Sequence, residues 1–223
     1  MTAETTRTAT AKARGMKIIQ IPNGREIDPL CLEIPADTVI SRKVDLWLYL
    51  MQQDIKRIIV AGHSLGANAA IAYAGSGHDI DGIIAIAPGH VPDVPRFRTG
   101  VAGSLKKARQ MIAEGKSDSS ASFLDPTRGT TRTITTTAAI YLSYFDPEGL
   151  AAMPKSAAAI PRPIPFLWII GNQDPLLSLG DNYVFNKAPK HPRSSYLVVP
   201  GGHGDTPNVG AAPIIDWLAS LGY

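Results

Sequence analysis

Cysteine is almost absent from the 223-residue sequence, which contains only Cys31. A single cysteine excludes an internal disulfide, so a packed core must supply the stability of the fold. No set of cysteine and histidine residues has the spacing of metal ligands, and the sequence predicts no metal site. Cys31 lies in an apolar run, residues 30–34, and we expect it to be a small core residue.

Long apolar runs are absent too, since none approaches the ~18 residues that a membrane-spanning helix requires. Residues 1–15 are rich in Thr and Ala but lack the apolar stretch of a secretory signal. We therefore expect them to be a flexible tail of a cytoplasmic protein with no membrane span.

An excess of one charge is also missing, because the net charge is only +3. The densest basic group, Lys106-Lys107-Ala108-Arg109, is typical of a solvated helix face rather than of a nucleic-acid site. The sequence therefore predicts no nucleic-acid partner, and it leaves the oligomeric state open. With 44% hydrophobic and 18% charged residues, the chain is long enough for one domain with a sizeable core, residues 1–223.

The sequence does contain one strong local pattern, Gly62-His63-Ser64-Leu65-Gly66. It follows a β-branched run, residues 58–60, and precedes an alanine-rich helix that we expect to begin near Leu65. Gly62 and Gly66 lack a Cβ, so the chain can turn sharply and leave Ser64 at the tip in a strained conformation. The unpaired N–H groups of the helix would point at the same spot, which favours an anion there.

Several apolar runs have the character of buried strands, and two helices accompany them. Continuous apolar strands separated by helices indicate a parallel sheet covered on both faces. The predicted strands are residues 58–62, 83–87, 166–170 and 195–199, and the predicted helices on this sheet are residues 67–74 and 212–221. Nearer the N-terminus we expect strands at Lys17–Ile21 and Cys31–Ile34 and a helix at Ser41–Lys56.

Segment 90–165 breaks this alternation. We expect helices over Gly103–Glu114 and Thr137–Phe145, separated by residues rich in Ser, Thr, Gly and charge. The aromatic side chains of the second helix either line a small-molecule pocket or pack this segment onto the sheet, and the sequence leaves both open.

The strand, turn and helix around Ser64 resemble the nucleophile elbow of the α/β-hydrolase fold. The resemblance implies a mostly parallel sheet flanked by helices, with segment 90–165 as a helical cap or lid inserted before the strand that precedes the catalytic acid. It also implies a serine hydrolase that cleaves a small-molecule carboxylic ester through an acyl-enzyme, without a cofactor or metal. Ser64 is then the nucleophile, and the backbone N–H of Leu65 is one donor of the oxyanion hole.

Acyl transfer by a serine needs a base and a carboxylate that orients the base. Ser64, Asp174 and His203 each follow a predicted strand directly, in the order that the resemblance implies. Asp205 is too near His203 in sequence to orient it, and Asp125 and Asp146 are more typical of caps in turns or helices. His63 would face away from Ser64 and support the site indirectly, whereas His90 follows a strand and could line the pocket.

The sequence departs from the resemblance in its first fifty residues, which lack the His-Gly or Gly-Gly loop that donates the second oxyanion N–H. The Asn23-Gly24 turn is either that donor or a plain β-turn. Two other functions stay open: a thioesterase or acyltransferase with the same triad, and an inactive binding protein with this fold.

Overall fold

The computed structural model describes residues 57–222, apart from the side chain of Arg128. Residues 57–217 form one compact unit, to which the description below is confined except for the end of the last helix. The tail at residues 1–15, Cys31, the Asn23-Gly24 turn, and the strands and helix expected between Lys17 and Lys56 all lie outside the described residues.

Six strands and six α-helices make up the described part of the chain. The strands are β1 (Ile59–Ser64), β2 (Gly82–Pro88), β3 (Ser120–Asp125), β4 (Arg132–Thr137), β5 (Phe166–Gly171) and β6 (Ser195–Val199). The helices are α1 (Leu65–Gly75), α2 (Pro95–Ala113), α3 (Ala138–Phe145), α4 (Met153–Ala158), α5 (Thr206–Val209) and α6 (Ala211–Ser220). Within residues 57–222, none of the helices combines the length and apolarity needed to cross a membrane.

The main sheet has the order β1-β2-β5-β6, and every neighbouring pair in it is parallel. Every residue of β5 is buried, as are all but one of β2, which is why both strands read as unbroken apolar runs. The four strands predicted from these runs are confirmed, with ends that differ by one or two residues. The fold is the mostly parallel sheet flanked by helices that the sequence predicts.

Helix α1 packs closely on this sheet because its buried face is built of small residues. Ala67, Ala70 and Ala74 are buried against the strands, together with Ile71. The helix ends at Gly75, next to which the N–H of Ser76 bonds back to the carbonyl of Ala72. Short side chains let helix and strand backbones approach, so the turn that joins them at Ser64 is held from both sides.

Segment 90–165 contains the helices α2, α3 and α4, but also an antiparallel hairpin of β3 and β4 that was not predicted. We expect a helical segment here, and the structure shows helices together with this hairpin. The Thr-rich run Arg132–Thr137 has β-forming residues, and it pairs so that Asp125 lies opposite Arg132. The hairpin and the helices α2 and α3 share a core of their own, in which Phe123, Tyr141 and Phe145 stack.

Helix α2 begins at Pro95, well before the predicted start at Gly103. Pro95 looks like a helix breaker in the sequence, but it occupies the first turn, where a backbone N–H has no partner within the helix. Because of the prolines and glycines in this stretch, the sequence did not predict the first two turns of the helix.

Candidate active site

Four side chains that could take part in chemistry follow the carboxyl ends of neighbouring strands. Ser64 ends β1, His90 follows β2, Asp174 follows β5 and His203 follows β6. Because these strands are parallel and adjacent, their carboxyl ends lie at one edge of the sheet. The sheet itself therefore brings together residues that are up to 139 positions apart in the chain.

Ser64 has the strained backbone that the sharp turn requires, with φ 56° and ψ −123°. A Cβ at Gly62 would overlap the carbonyl of Gly66, so the turn depends on the glycine at position 62. The expected need for a glycine at position 66 is not seen, since a Cβ there would meet no described atom within 4 Å. Ser64 precedes α1 without capping it through its side chain, so its hydroxyl is available for another partner.

That partner is His203, whose Nε2 lies 2.9 Å from the Ser64 Oγ. On the other side of the ring, Nδ1 lies 2.7 Å from the Asp174 Oδ2. An ionised carboxylate only accepts hydrogen bonds, so Nδ1 carries the ring proton and Nε2 is free to accept from the hydroxyl. The structure thus joins the three predicted residues in one hydrogen-bonded chain.

The Asp174 carboxylate is held by a second hydrogen bond besides its contact with the His203 ring. Its Oδ1 accepts a hydrogen bond of 2.9 Å from the Leu176 N–H, at the start of the short helix Pro175–Leu179. The Asp174 side chain is only 1% exposed, whereas the His203 side chain is 37% exposed. The Asp174 carboxylate is therefore held rigidly in the protein, and the His203 ring reaches the solvent-accessible side of the site.

The loop that carries His203 is tied down through its backbone. The Nε2 of His63 lies 3.0 Å from the His203 carbonyl oxygen, so His63 supports the loop rather than Ser64. The Asp205 carboxylate accepts from the Gly202 N–H at 2.9 Å and is engaged there rather than with the His203 ring. Gly201 donates to the Asn172 side chain at 3.0 Å, which links this loop to the one after β5.

Sequence reasoning missed Gly89, a residue that lies close to both Ser64 and His203. A Cβ at this position would overlap the Ser64 Oγ and would lie 3.2 Å from the His203 Cε1. The backbone just before it is strained: Ala87 and Ser64 are the non-glycine residues with positive φ among those the structure describes. In the sequence, Pro88-Gly89 gives no sign of this closeness, because it reads as an ordinary turn after a strand.

A cavity of about 940 Å³ opens beside Ser64 and His203. Much of its apolar wall comes from segment 90–165 and includes Ile134, Ile140, Tyr144 and Phe145. Phe145 also stacks on Tyr141 in the core of that segment. The aromatic residues of α3 therefore line the cavity, as one of the two alternatives predicts, and the packing that they provide is within the core of segment 90–165 itself.

His90 is a buried wall residue of the same cavity and touches the elements on both sides of it. Its Nε2 lies 2.6 Å from the Tyr144 carbonyl oxygen, and its ring meets those of Phe97 and Phe145 edge to face. The Asn68 side chain brackets the His90 backbone, donating to its carbonyl at 2.6 Å and accepting from its N–H. Burial disfavours the charged ring and lowers the pKa of His90 below its ordinary 6.5.

This lowered pKa predicts that the protein loses stability on mild acidification. Below pH 6.5 the unfolded chain binds a proton at His90 that the folded protein does not bind, so the free energy of unfolding falls with pH. The free energy of unfolding continues to fall until the pH reaches the pKa of His90 in the folded state. The rate of this fall is no more than about 1.4 kcal/mol per pH unit. We expect wild type to lose more stability than His90→Gln between pH 7.5 and 5.5 in urea unfolding curves, by no more than about 1.4 kcal/mol. Equal losses in the two proteins would show that His90 is not buried in its neutral form.

The alpha/beta hydrolase family model matches residues 27–215 of the chain. No curated protein matches it. Among solved structures, a highly thermostable carboxyl esterase from Bacillus coagulans has a TM-score of 0.53 at 16% identity, covering 79% of this chain and 69% of that one. A soluble variant of monoglyceride lipase from Saccharomyces cerevisiae has a TM-score of 0.53 at 12% identity, covering 79% of this chain and 66% of that one. At these identities the likeness concerns the fold.

Proposed function

This chain belongs to the alpha/beta hydrolase family, and from that premise we propose that it is a serine hydrolase that cleaves carboxylic esters. The observation that carries the proposal is the hydrogen-bonded chain from Ser64 through His203 to Asp174, beside a cavity with an apolar wall. Family membership alone does not choose an activity, because one fold hosts many reactions. The choice depends on the site.

The first half of the reaction is acylation of the serine. The Ser64 Oγ attacks the ester carbonyl carbon while its proton passes to the His203 Nε2, and Asp174 stabilises the imidazolium that forms. The carbonyl oxygen becomes an oxyanion near the N-terminus of α1, where the Leu65 N–H can donate to it. His203 then gives its proton to the departing alcohol, and the C–O bond of the ester breaks.

The second half returns the enzyme to its starting state. A water molecule loses a proton to the His203 Nε2 and attacks the acyl carbon, and a second oxyanion forms in the same place. The bond to the Ser64 Oγ then breaks, the serine takes the proton back, and a carboxylic acid leaves. Every proton is carried by this one histidine, so the proposed mechanism needs neither metal nor cofactor.

The cavity supports a small-molecule ester as the substrate. Its volume of about 940 Å³ lies at the upper end of the usual range for ligand pockets, about 300–1,000 Å³. The side chains of Ile134, Ile140 and Tyr144 offer an apolar surface to one part of the ester. We propose small or medium acyl chains as the preferred group.

A fluorophosphonate probe tests the proposal directly, because it reacts only with a serine whose hydroxyl is activated. We expect one covalent adduct, located at Ser64 by mass spectrometry, together with hydrolysis of p-nitrophenyl acetate, butyrate or octanoate. The same assay with butyryl thioesters decides between an esterase and a thioesterase, which share the acyl-enzyme step. A folded protein that gives neither adduct nor turnover would contradict the proposal and favour an inactive binding protein.

A further inference from the structure

Arg132 stands out among the described residues that line the cavity, because it is the one Lys or Arg in that set. It lies at the start of β4, directly opposite Asp125 at the end of β3. The mechanism proposed above uses neither residue. Both nevertheless line the cavity that contains Ser64 and His203.

Asp125 is a fixed anchor for this arginine. Its side chain is only 5% exposed, and its Oδ2 accepts a hydrogen bond from the Arg132 Nε at 2.8 Å and lies 2.7 Å from Nη2 in the ion pair. Its Oδ1 accepts from both the backbone N–H and the hydroxyl of Thr127. Burial alone would raise the pKa of Asp125, but the bonds from Thr127 and Arg132 outweigh it and lower that pKa, so the carboxylate stays charged.

Arg132 has donors to spare after this pairing. A guanidinium has five N–H groups in a rigid plane; the one on Nε donates to Asp125, and the ion-pair contact of Nη2 with the same oxygen occupies at most one more. The side chain is 56% exposed, although its partner is buried. The remaining three N–H groups belong to a cation that is already held in one orientation, so a further acceptor can bind with little loss of side-chain entropy.

We infer that Arg132 binds a carboxylate on the substrate, so that the preferred ester carries a negative charge at the end remote from the bond that is cleaved. This inference rests on the proposed function, since it names the substrate class of the same site. A planar carboxylate can bind the free N–H groups of a guanidinium through both oxygens. The apolar residues that line the cavity together with Arg132, Ser64 and His203 suit the hydrocarbon part of such an ester.

A purely structural role for the ion pair, which would be to hold the hairpin, makes a different prediction. Arg109 provides the comparison within the same segment. It is 52% exposed and bonds the Asp146 Oδ1 at 3.0 Å, but it lines a separate groove. If the charge of Arg132 matters only for the hairpin, both arginines should be equally irrelevant to ligand preference.

The test measures binding to Ser64→Ala protein, which cannot consume the ligand, by isothermal titration calorimetry. Monoethyl adipate is compared with ethyl 6-hydroxyhexanoate, which places the charge or its neutral equivalent on the acyl part. In a second pair, 4-acetoxybenzoate is compared with 4-(hydroxymethyl)phenyl acetate. This pair places the charge, or its neutral equivalent, on the alcohol part of the ester. We expect the charged member of at least one pair to bind about tenfold more tightly.

Arg132→Gln in the same background should abolish that preference, and Arg132→Lys should retain only part of it, because lysine keeps the charge but not the planar fork. Arg109→Gln should leave the preference within about twofold of its original value. Thermal melting of each variant shows that the comparison is between folded proteins.

Equal binding of charged and neutral ligands in both pairs would overturn the inference. So would an equal loss of preference in Arg132→Gln and Arg109→Gln. Turnover of p-nitrophenyl butyrate by the protein with Ser64 intact reports on the proposed function separately, so failure of the one is distinguishable from failure of the other.

Discussion

Ser64→Ala is expected to abolish the proposed ester cleavage while leaving the fold intact. The hydroxyl bonds His203 but does not cap α1, so the fold does not depend on it. The surrounding strand and helix hold residue 64 at its strained φ of 56°, and an alanine there must adopt this conformation just as the serine does. With the attacking atom gone, kcat should fall by about 10⁶-fold, the loss typical of serine hydrolases.

Burst-phase and steady-state hydrolysis of p-nitrophenyl butyrate measure this loss, and circular dichroism checks the fold. Ser76→Ala is the matched control: Ser76 lies at the other end of α1, is exposed, and its hydroxyl donates to the carbonyl of Ala72 within the same helix. Its activity should stay within about twofold of wild type. If Ser64→Ala kept more than about 1% of the wild-type rate, Ser64 would not be the nucleophile and another group would have to be sought.

The sheet was the most predictable part of the fold, because burial on both faces leaves a plain mark in the sequence. Strands such as Phe166–Gly171 are apolar at every position, and a short glycine-rich turn or a proline ends each of them. Since parallel strands order their carboxyl ends along one edge, finding the strands also predicted which polar residues would meet. That is why Ser64, Asp174 and His203 could be grouped across nearly 140 positions.

Segment 90–165 was less predictable, because its pairing depends on contacts that are distant in the chain. The strands Ser120–Asp125 and Arg132–Thr137 are rich in Ser and Thr, only partly buried, and hydrogen-bonded to each other rather than to the main sheet. Such a hairpin has a weak hydrophobic pattern and resembles a polar loop in the sequence. The opposition of Asp125 and Arg132 follows only once the register is known.

The same limit on prediction from the sequence applies to single residues of the candidate site. Side chains that act by their chemistry could be proposed from their types and positions, as with Asp174 and His203. Gly89 would act by having no side chain, and its importance depends on the distance to atoms of Ser64 and His203, which two other strands, β1 and β6, bring close. Tertiary packing alone reveals such a position.

Gly89→Ala is accordingly expected to disable the enzyme with only one added methyl group. The new Cβ would overlap the Ser64 Oγ and press on the His203 ring, 3.2 Å from Cε1 and 3.3 Å from Nε2. Either the hydroxyl rotates away from Nε2 or the loop after β2 shifts, and both break the 2.9 Å contact between nucleophile and base. A displacement of about 1 Å in such a pair costs roughly 100-fold in rate, so kcat/KM should fall by at least that factor.

Gly204→Ala isolates the steric effect, because it adds the same methyl group at the residue that follows His203 in the chain. Gly204 is exposed, and a Cβ there would meet none of the described atoms within 4 Å. Activity of this variant should remain within about twofold of wild type, and both variants should melt within a few degrees of it, since neither position is buried. Full activity in Gly89→Ala would mean that the serine and histidine need not keep the arrangement seen here in order to react. A loss of activity in both variants would instead place the sensitivity in the loop that carries His203. The predicted overlap of the Gly89→Ala methyl group with the Ser64 Oγ is compatible with neither of these results. The two glycine variants together therefore test the geometry of the site and not merely its composition.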